Sequence, residues 1–260
     1  MRKATKVDIM QPAPKTITAA ILVIGDEILS GRTKDQNIGY IAEYLTGIGI
    51  ELREVRVVPD IEEEIVAGVQ ALSARYTYLF TTGGIGPTHD DITADCVAKA
   101  MGVSIGVDER AVELLLTRMK REDLNEMRLR MCRIPKGADL ILNPISAAPG
   151  FKIGNVMVMA GVPRIMQAML DSVAQTLETG VKIQSVSLDA PLPEGVYAAG
   201  LMAIAAQYAD VSIGSYPSFG TAGGRNNQIV LRARDEALLA KASDDVRALI
   251  AQLVAERTPS

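Results

Sequence analysis

The run Ala19-Ala20-Ile21-Leu22-Val23-Ile24 contains no polar residue. A continuous apolar stretch of that length predicts a strand covered on both faces. It stops at Gly25-Asp26-Glu27. Ile38, Ile41, Leu45 and Ile48 then share one face of a helix, which Asp35 or Asn37 can cap and which Gly47 and Gly49 end. Val55, Val57 and Val58 mark a second strand. Asp60 with Glu63 three positions on reads as a capping box for a helix carrying Ile61, Ile65, Val69 and Leu72. Tyr78-Leu79-Phe80 predicts a third strand, running into the loop Thr82-Gly83-Gly84-Ile85-Gly86-Pro87-Thr88. A short helix through Val97 and Met101 stops at Gly102. This alternation is the pattern of an α/β fold, a mostly parallel sheet with helices on both faces.

Asp108 to Met131 reads as helix in one or two pieces, with Met119, Met127 and Met131 as core fillers. Pro135 and Pro144 break the chain, and Val156 to Met159 predicts another buried strand. Pro163 opens a helix bearing Ile165, Met166, Met169, Leu170 and Val173. The first domain is therefore expected over residues 16–180. Residues 181–260 read as a small α+β domain in β-α-β-β-α order: strand Ser185 to Leu188, helix Val196 to Tyr208, and final helix Asp235 to Val254. Val211 and Ile213 are expected to pair with Ile229 and Leu231 across the loop Gly220 to Asn227. Residues 1–15 carry charge without an apolar core, so they read as a disordered tail and not a signal peptide. No apolar run approaches the roughly 20 residues of a membrane span.

Composition narrows the function classes. The 260 residues carry 27 basic and 31 acidic side chains, a net charge of -4, which disfavours a protein built to hold nucleic acid or an anionic membrane. Aromatics make up 4% and Trp is absent, so stacking platforms for single strands are not expected. A KH-type RNA module would need a GxxG loop between two helices, and none stands there. Cys96 and Cys132 are too few for a disulfide framework and lack metal-ligand spacing, which points to reduced thiols in a cytoplasmic protein.

Ligands of open α/β sheets bind beyond the carboxyl ends of the strands. Those ends carry this chain's unusual residues. Strand one delivers Asp26 and Glu27, with Asp35 behind; strand two delivers Asp60; strand three delivers Gly83, Gly84 and Gly86, then His89, Asp90 and Asp91; the strand ending at Met159 delivers Gly161-Val162-Pro163. Glycines let backbone N–H groups approach phosphate oxygens, and a helix N-terminus adds its dipole. Carboxylates beside such a cradle suggest a hard cation shared with a pyrophosphate. The parts together describe a site for making or breaking phosphoanhydride bonds.

Each part also has a plainer reading. The glycine loop fits neither GxxxxGK[ST] nor GxGxxG and can be a structural turn. Asp60 and Asp35 can be helix caps, and Asp90 and Asp91 can serve a helix dipole. His89 can be a solvated loop residue or a proton carrier. Arg128, Arg130 and Arg133 can be a solvated face or an anion clamp.

Gly25-Asp26-Glu27-Ile28-Leu29-Ser30-Gly31, then Asp35, Asn37 and Asp60, then Thr82 through Thr93 form a specific series. With them the chain resembles the molybdopterin-binding (MoaB/Mog-like) domain family. The resemblance is to the branch forming the N-terminal part of competence/damage-inducible protein A (CinA) and of eukaryotic FAD synthase. Asn143, Ala148-Pro149-Gly150-Phe151 and Gly161-Val162-Pro163 match two later motifs, and Ser212 to Pro217 resembles the second domain of that branch.

The resemblance implies a three-layer α/β/α sandwich, like molybdenum cofactor biosynthesis proteins, and a homo-oligomer, dimer or trimer. It implies a small-molecule partner, a nucleotide or a pterin such as molybdopterin. Catalysis would fall to Asp60 and Asp91, and a divalent metal (Mg, Mn or Co) to Asp60, Asp90 and Asp91. Ligand or phosphate binding would fall to Gly25, Asp26, Glu27, Asn37, Gly83, Gly84, Gly86, Pro87, Thr88, Asn143, Pro149, Gly150, Gly161 and Pro163. The expected activity is a metal-dependent nucleotide pyrophosphatase acting on ADP-ribose or FAD-like diphosphates. The alternatives are molybdopterin binding or adenylylation, and a non-catalytic binding module. Ser146, Ala147, Ala160 and Ile165 depart from the family pattern.

Overall fold

The computed structural model describes residues 16–217 and 227–257. The expected tail, 1–15, and all of the Gly220 to Asn227 loop except Asn227 lie outside them. The chain divides into two compact units between Gly180 and Val181.

The first unit runs β1 (Ile17–Ile24), α1 (Asp26–Leu29), α2 (Asn37–Gly47), β2 (Ile50–Val58), α3 (Glu62–Arg75), β3 (Tyr78–Thr82) and α4 (Thr93–Ala100). It continues through β4 (Ile105–Val107), α5 (Glu109–Leu116), α6 (Glu126–Arg130), β5 (Arg133–Pro135), β6 (Asp139–Ile141), β7 (Gly150–Ile153), β8 (Val156–Met159) and α7 (Pro163–Ala174). Six strands form one sheet in the order β2-β1-β3-β8-β7-β6, and β4 and β5 form a separate ribbon. The four strands from β2 to β8 are parallel, and β7 and β6 continue the sheet antiparallel.

Burial explains the apolar run. Ala20, Leu22 and Ile24 of β1 point into a core shared with α3, α4 and α5, while Ile17, Ala19, Ile21 and Val23 point into a core shared with α2 and α7. Both faces of the strand are dry, so no alternation survives in its sequence. Asp35 caps α2, its Oδ1 accepting from the N–H groups of Asn37 (3.1 Å) and Ile38 (2.8 Å). Between Ala19 and Ala20 the register of β1 on β2 slips from Leu52 to Glu54, leaving Arg53 as the extra residue of a bulge.

Three expectations need correcting. The capping box at Asp60 does not form: α3 starts at Glu62 with no side-chain cap, and the Asp60 carboxylate is used elsewhere. The Asp108 to Met131 stretch breaks into α5, a 3-10 turn (Arg121–Asp123) and α6, with Asp108 and Asn125 each capping a helix through its side chain. Met119 and Met131 pack on the core, but Met127 is 47% exposed.

The second unit comprises β9 (Gln184–Ala190), α8 (Glu194–Gln207), β10 (Ser212–Tyr216), β11 (Asn227–Ala233) and α9 (Glu236–Ala255). Its sheet is antiparallel in the order β10-β11-β9. Ile213 pairs with Leu231 as expected, whereas Ile229 faces Ser215 and Val211 precedes the strand. Ile229, Leu231 and Ala233 are buried in a core with α8 and α9; of the residues alternating with them, Gln228 and Arg232 are exposed and Val230 is half-buried. Among the described residues no helix is long and apolar enough to cross a membrane.

Candidate functional site

In the parallel part of the sheet the chain leaves β1 for β2 on one side and reaches β3 on the other, so the connections diverge between β1 and β3. A crevice opens at such a switch point beyond the strand ends. Here it is flanked by Gly25-Asp26-Glu27 after β1, the glycine loop after β3, and Ala160-Gly161-Val162 after β8.

The glycine loop borders a cavity of about 380 Å³ lined by Glu27, Gly83, Gly84, Ile85, Gly86, Pro87, Asp91, Met131, Asn143, Ser146, Ala148, Ala160, Gly161, Val162, Ile165 and Met169. Gly83 has φ +102, its N–H donates to the Met159 carbonyl, and a Cβ there would collide with the Ile24 carbonyl oxygen. Only glycine holds that turn without strain. Thr93, buried at the start of α4, clasps the loop: its Oγ1 donates to the Gly83 carbonyl (3.0 Å) and its N–H to that of Gly84 (3.0 Å). The Asp91 carboxylate accepts from Thr88 N–H (2.8 Å) and Oγ1 (2.5 Å) and lies where a Cβ on Gly86 would sit 2.6 Å from Oδ2. Gly86 thus lets a carboxylate into the pocket wall. Much of the remaining wall is apolar: Ile85, Met131, Val162, Ile165 and Met169.

A second, more open cavity of about 660 Å³ is lined by Asp26, Glu27, Leu29, Ser30, Arg32, Asp60 and Asp90. Asp60 Oδ2 accepts from the Asp26 N–H at 3.0 Å, tying the end of β2 to the start of α1. Burial raises the Asp60 carboxyl above its ordinary value. The bond from Asp26 opposes that shift, and the negative charges of Asp26, Glu27 and Asp90 reinforce it. Glu27 lines both cavities and folds against Gly25, where a Cβ would lie 2.6 Å from both carboxylate oxygens.

The expected metal residues therefore divide: Asp60 and Asp90 border the carboxylate cavity, and Asp91 borders the glycine pocket. Among the described residues no group of three or more His, Cys, Asp or Glu is arranged to hold a metal ion. Asn37 is a buried tether, its Nδ2 donating to the Gly161 carbonyl (2.8 Å). Asn143 shapes the loop after β6 by accepting from Ile145 and Ser146 N–H and donating to Ser146 Oγ and the Ala148 carbonyl. Ala147 in that loop is the one non-glycine residue at positive φ (+66) among those described. Pro149 borders a small cleft behind the pocket, while Gly150 starts β7 and Pro163 opens α7. The His89 side chain is 95% exposed.

Sequence reasoning missed the apolar wall and the part played by Arg130. Arg130 Nη2 donates to the Asp91 carbonyl (3.2 Å), and its Nε is buried without a partner. Arg133 is paired with Asp95, and Arg128 donates to the Asp123 carbonyl (2.6 Å). The three arginines thus brace local structure, and the spacing of the run carried no sign that Arg130 alone meets the glycine pocket's loop.

A glycine-lined pocket beside a carboxylate cavity, both at the switch point of a sheet, defines a small-molecule-binding α/β domain. Residues 20–179 match the family described as a probable molybdopterin binding domain, and residues 182–258 match the FAD synthase middle domain. The chain belongs to the first family, with the second domain attached. A probable FAD synthase of Caenorhabditis elegans is 36% identical over 230 residues, covering 78% of this chain and 44% of that protein. A CinA-like protein of Desulfosudis oleivorans is 35% identical over 179 residues, covering 65% of this chain and 43% of that protein. This chain thus spans less than half the length of either curated relative. The crystal structure of the protein CinA, of unknown function, from Thermoplasma acidophilum matches with a TM-score of 0.59 at 33% identity, covering 62% of this chain and 98% of that one.

Proposed function

We propose that this chain is a metal-dependent nucleotide pyrophosphatase acting on diphosphates of the ADP-ribose or FAD type. The observation that carries the reading is Glu27, which borders both cavities, so a diphosphate on the glycine loop would lie directly beside four carboxylates. The likeness to probable FAD synthases supports a flavin or adenine nucleotide as ligand.

The donor chemistry fits a hard divalent cation. Asp26, Glu27, Asp60 and Asp90 crowd one cavity, and among the described residues Arg32 is the only cationic side chain lining it. Asp60 and Asp90 would hold Mg²⁺, Mn²⁺ or Co²⁺. The substrate's phosphates would supply further oxygen ligands, as is usual for Mg²⁺. A cation held there would supply charge neutralisation at the phosphoryl group. The chain's own groups do the rest. The turn at Gly83 and Gly84 brings main chain close to the diphosphate. Asp91, held by Thr88 and braced through its carbonyl by Arg130, presents a carboxylate to the pocket that would accept a proton from a water attacking one phosphorus, while the bridging P–O bond breaks and the other phosphate leaves with the rest of the substrate.

Metal-stripped protein incubated with ADP-ribose or FAD should release AMP only when Mg²⁺, Mn²⁺ or Co²⁺ is returned. Asp91→Asn should lower that rate by about 100-fold or more with an unchanged circular dichroism spectrum. The absence of AMP under every condition rejects the reading.

The apolar wall of Ile85, Met131, Val162, Ile165 and Met169 favours a second reading, in which a flat pterin ring is the ligand and the chain binds or adenylylates molybdopterin. Pterin affinity without release or transfer of AMP would mark the site as a binding module.

A further inference from the structure

β2 ends the large sheet, and among the described residues β1 is the only strand hydrogen-bonded to it. It is nine residues long, Ile50-Glu51-Leu52-Arg53-Glu54-Val55-Arg56-Val57-Val58, with Val55 37% exposed and the Arg53 side chain 54% exposed. A long edge strand is a template for another strand, and proteins usually blunt it. The charges on β2 are in an order that does more than blunt.

Two copies related by a two-fold axis must meet antiparallel along such an edge. With the axis between Arg53 and Glu54, Ile50 faces the partner's Val57 and Glu51 faces the partner's Arg56. Leu52 then faces the partner's Val55, and Arg53 faces the partner's Glu54. From Ile50 to Val57 each apolar residue meets an apolar one and each acid meets a base, while Val58 lies beyond the paired stretch.

The side-chain faces agree as well. Ile50, Leu52 and Val57 pack on the α2 side of the sheet, and Val55 pairs with Ile21, which points to that side. Glu54 and Arg56 pair with Ala20 and Leu22, which point to the opposite side. The bulge at Arg53 makes this possible, because it shifts the alternation by one residue at the axis and so makes the face pattern symmetric about it. Sliding the register by two residues either way sets Glu51 against Glu54 or Arg53 against Arg56, so one alignment is selected. Within one chain Arg53 pairs with Glu51 and Arg56 with Glu54 (2.7 Å), which holds the side chains extended along the edge. A guard against aggregation needs charge alone; it does not need an order that becomes complementary on reversal.

We propose that the β2 edge is a homodimer interface, at which two copies of this chain join their large sheets into one twelve-stranded sheet. The test is sedimentation velocity over a dilution series of the full chain. The wild type should sediment as a dimer that dissociates on dilution. Arg53→Glu/Arg56→Glu makes the edge wholly acidic, and Glu51→Arg/Glu54→Arg makes it wholly basic. Each variant alone should self-associate roughly 10- to 100-fold more weakly, and an equimolar mixture of the two should recover the dimer.

Glu54 also accepts from Arg75 and from Tyr76 Oη (2.7 Å), so the fold of each variant is checked by circular dichroism. If a variant is misfolded, hydrogen exchange on the wild type decides. The β2 amides should exchange more slowly as protein concentration rises, while amides of β6, at the other edge, stay constant. A wild type monomeric at all concentrations, a trimer, an association indifferent to the charge changes, or β2 exchange independent of concentration would overturn the proposal.

Discussion

The two units solve the same problem with different sheets. In the first, β1 has helices on both faces and is buried at every residue but Thr18; in the second, β11 has α8 and α9 on one face and alternates buried residues with exposed or half-buried ones. Cover on both faces leaves the loops at the strand ends as the place where polar groups gather, and both cavities of the candidate site open there. The half-covered sheet spreads its polar groups along the strands instead. A doubly covered sheet concentrates chemistry; a singly covered one disperses it.

The largest contrast should come from truncating one apolar side chain in each sheet. Leu22→Ala, at a fully buried position, should cost about 3 kcal/mol in urea unfolding, whereas Val230→Ala on the open side of β11 should cost under about 1 kcal/mol. Comparable losses would mean that the second sheet is covered as fully as the first.

Gly83→Ala should come next, at roughly 2 kcal/mol, because the new Cβ meets the Ile24 carbonyl at a positive φ. The same change should abolish ligand-induced stabilisation in a thermal shift assay, since it moves the loop lining the pocket. Retained stability would show that the turn relaxes more easily than its geometry implies.

A device common to both units sharpens the comparison. Asp108 caps α5 by accepting from Arg110 N–H (2.9 Å), and Asp235 caps α9 by accepting from Leu238 N–H (2.9 Å). Replacing either by Ala should cost about 1 kcal/mol. The Asp108 carboxyl is also held below its ordinary value, chiefly by the side chain of Arg110. Its contribution is therefore present above the ordinary carboxylate range and lost as pH falls through the lowered value. Stability of the Asp108→Ala protein should accordingly fall less steeply in acid than that of the wild type.

The smallest expected effect is a gain. Asp60 has a raised value, so its ionisation works against the fold, a cost that is absent in acid and grows as pH rises through that value. Asp60→Asn keeps an oxygen for the Asp26 N–H and should raise Tm by about 2 °C at neutral pH, with the gain vanishing in acid. It should also remove metal-dependent turnover. A variant that gains stability and keeps activity would break the link between the carboxylate cavity and the chemistry.

Legibility in the sequence followed the same divide. The unbroken apolar runs, β1 and β8, and the helices with an apolar period, α2, α7 and α9, could be read because their burial is set by residues close along the chain. The strands β4 to β7 were missed, since each is three or four residues long and carries a glycine, a proline or a charge that breaks the apolar run. Asp60 fitted a capping box equally well, because the competing donor, Asp26 N–H, is 34 residues away.

The chain alone determined the alternation of strands and helices and the placing of glycines and carboxylates at strand ends, because local propensity and period encode both. Tertiary structure alone decided which carboxylates share a cavity, that Glu27 borders two cavities, that Arg130 braces Asp91, and that methionines and branched side chains form the pocket's wall. Those facts depend on the divergence of connections between β1 and β3, which brings residues from distant segments to one crevice. No spacing along the chain contains that distance.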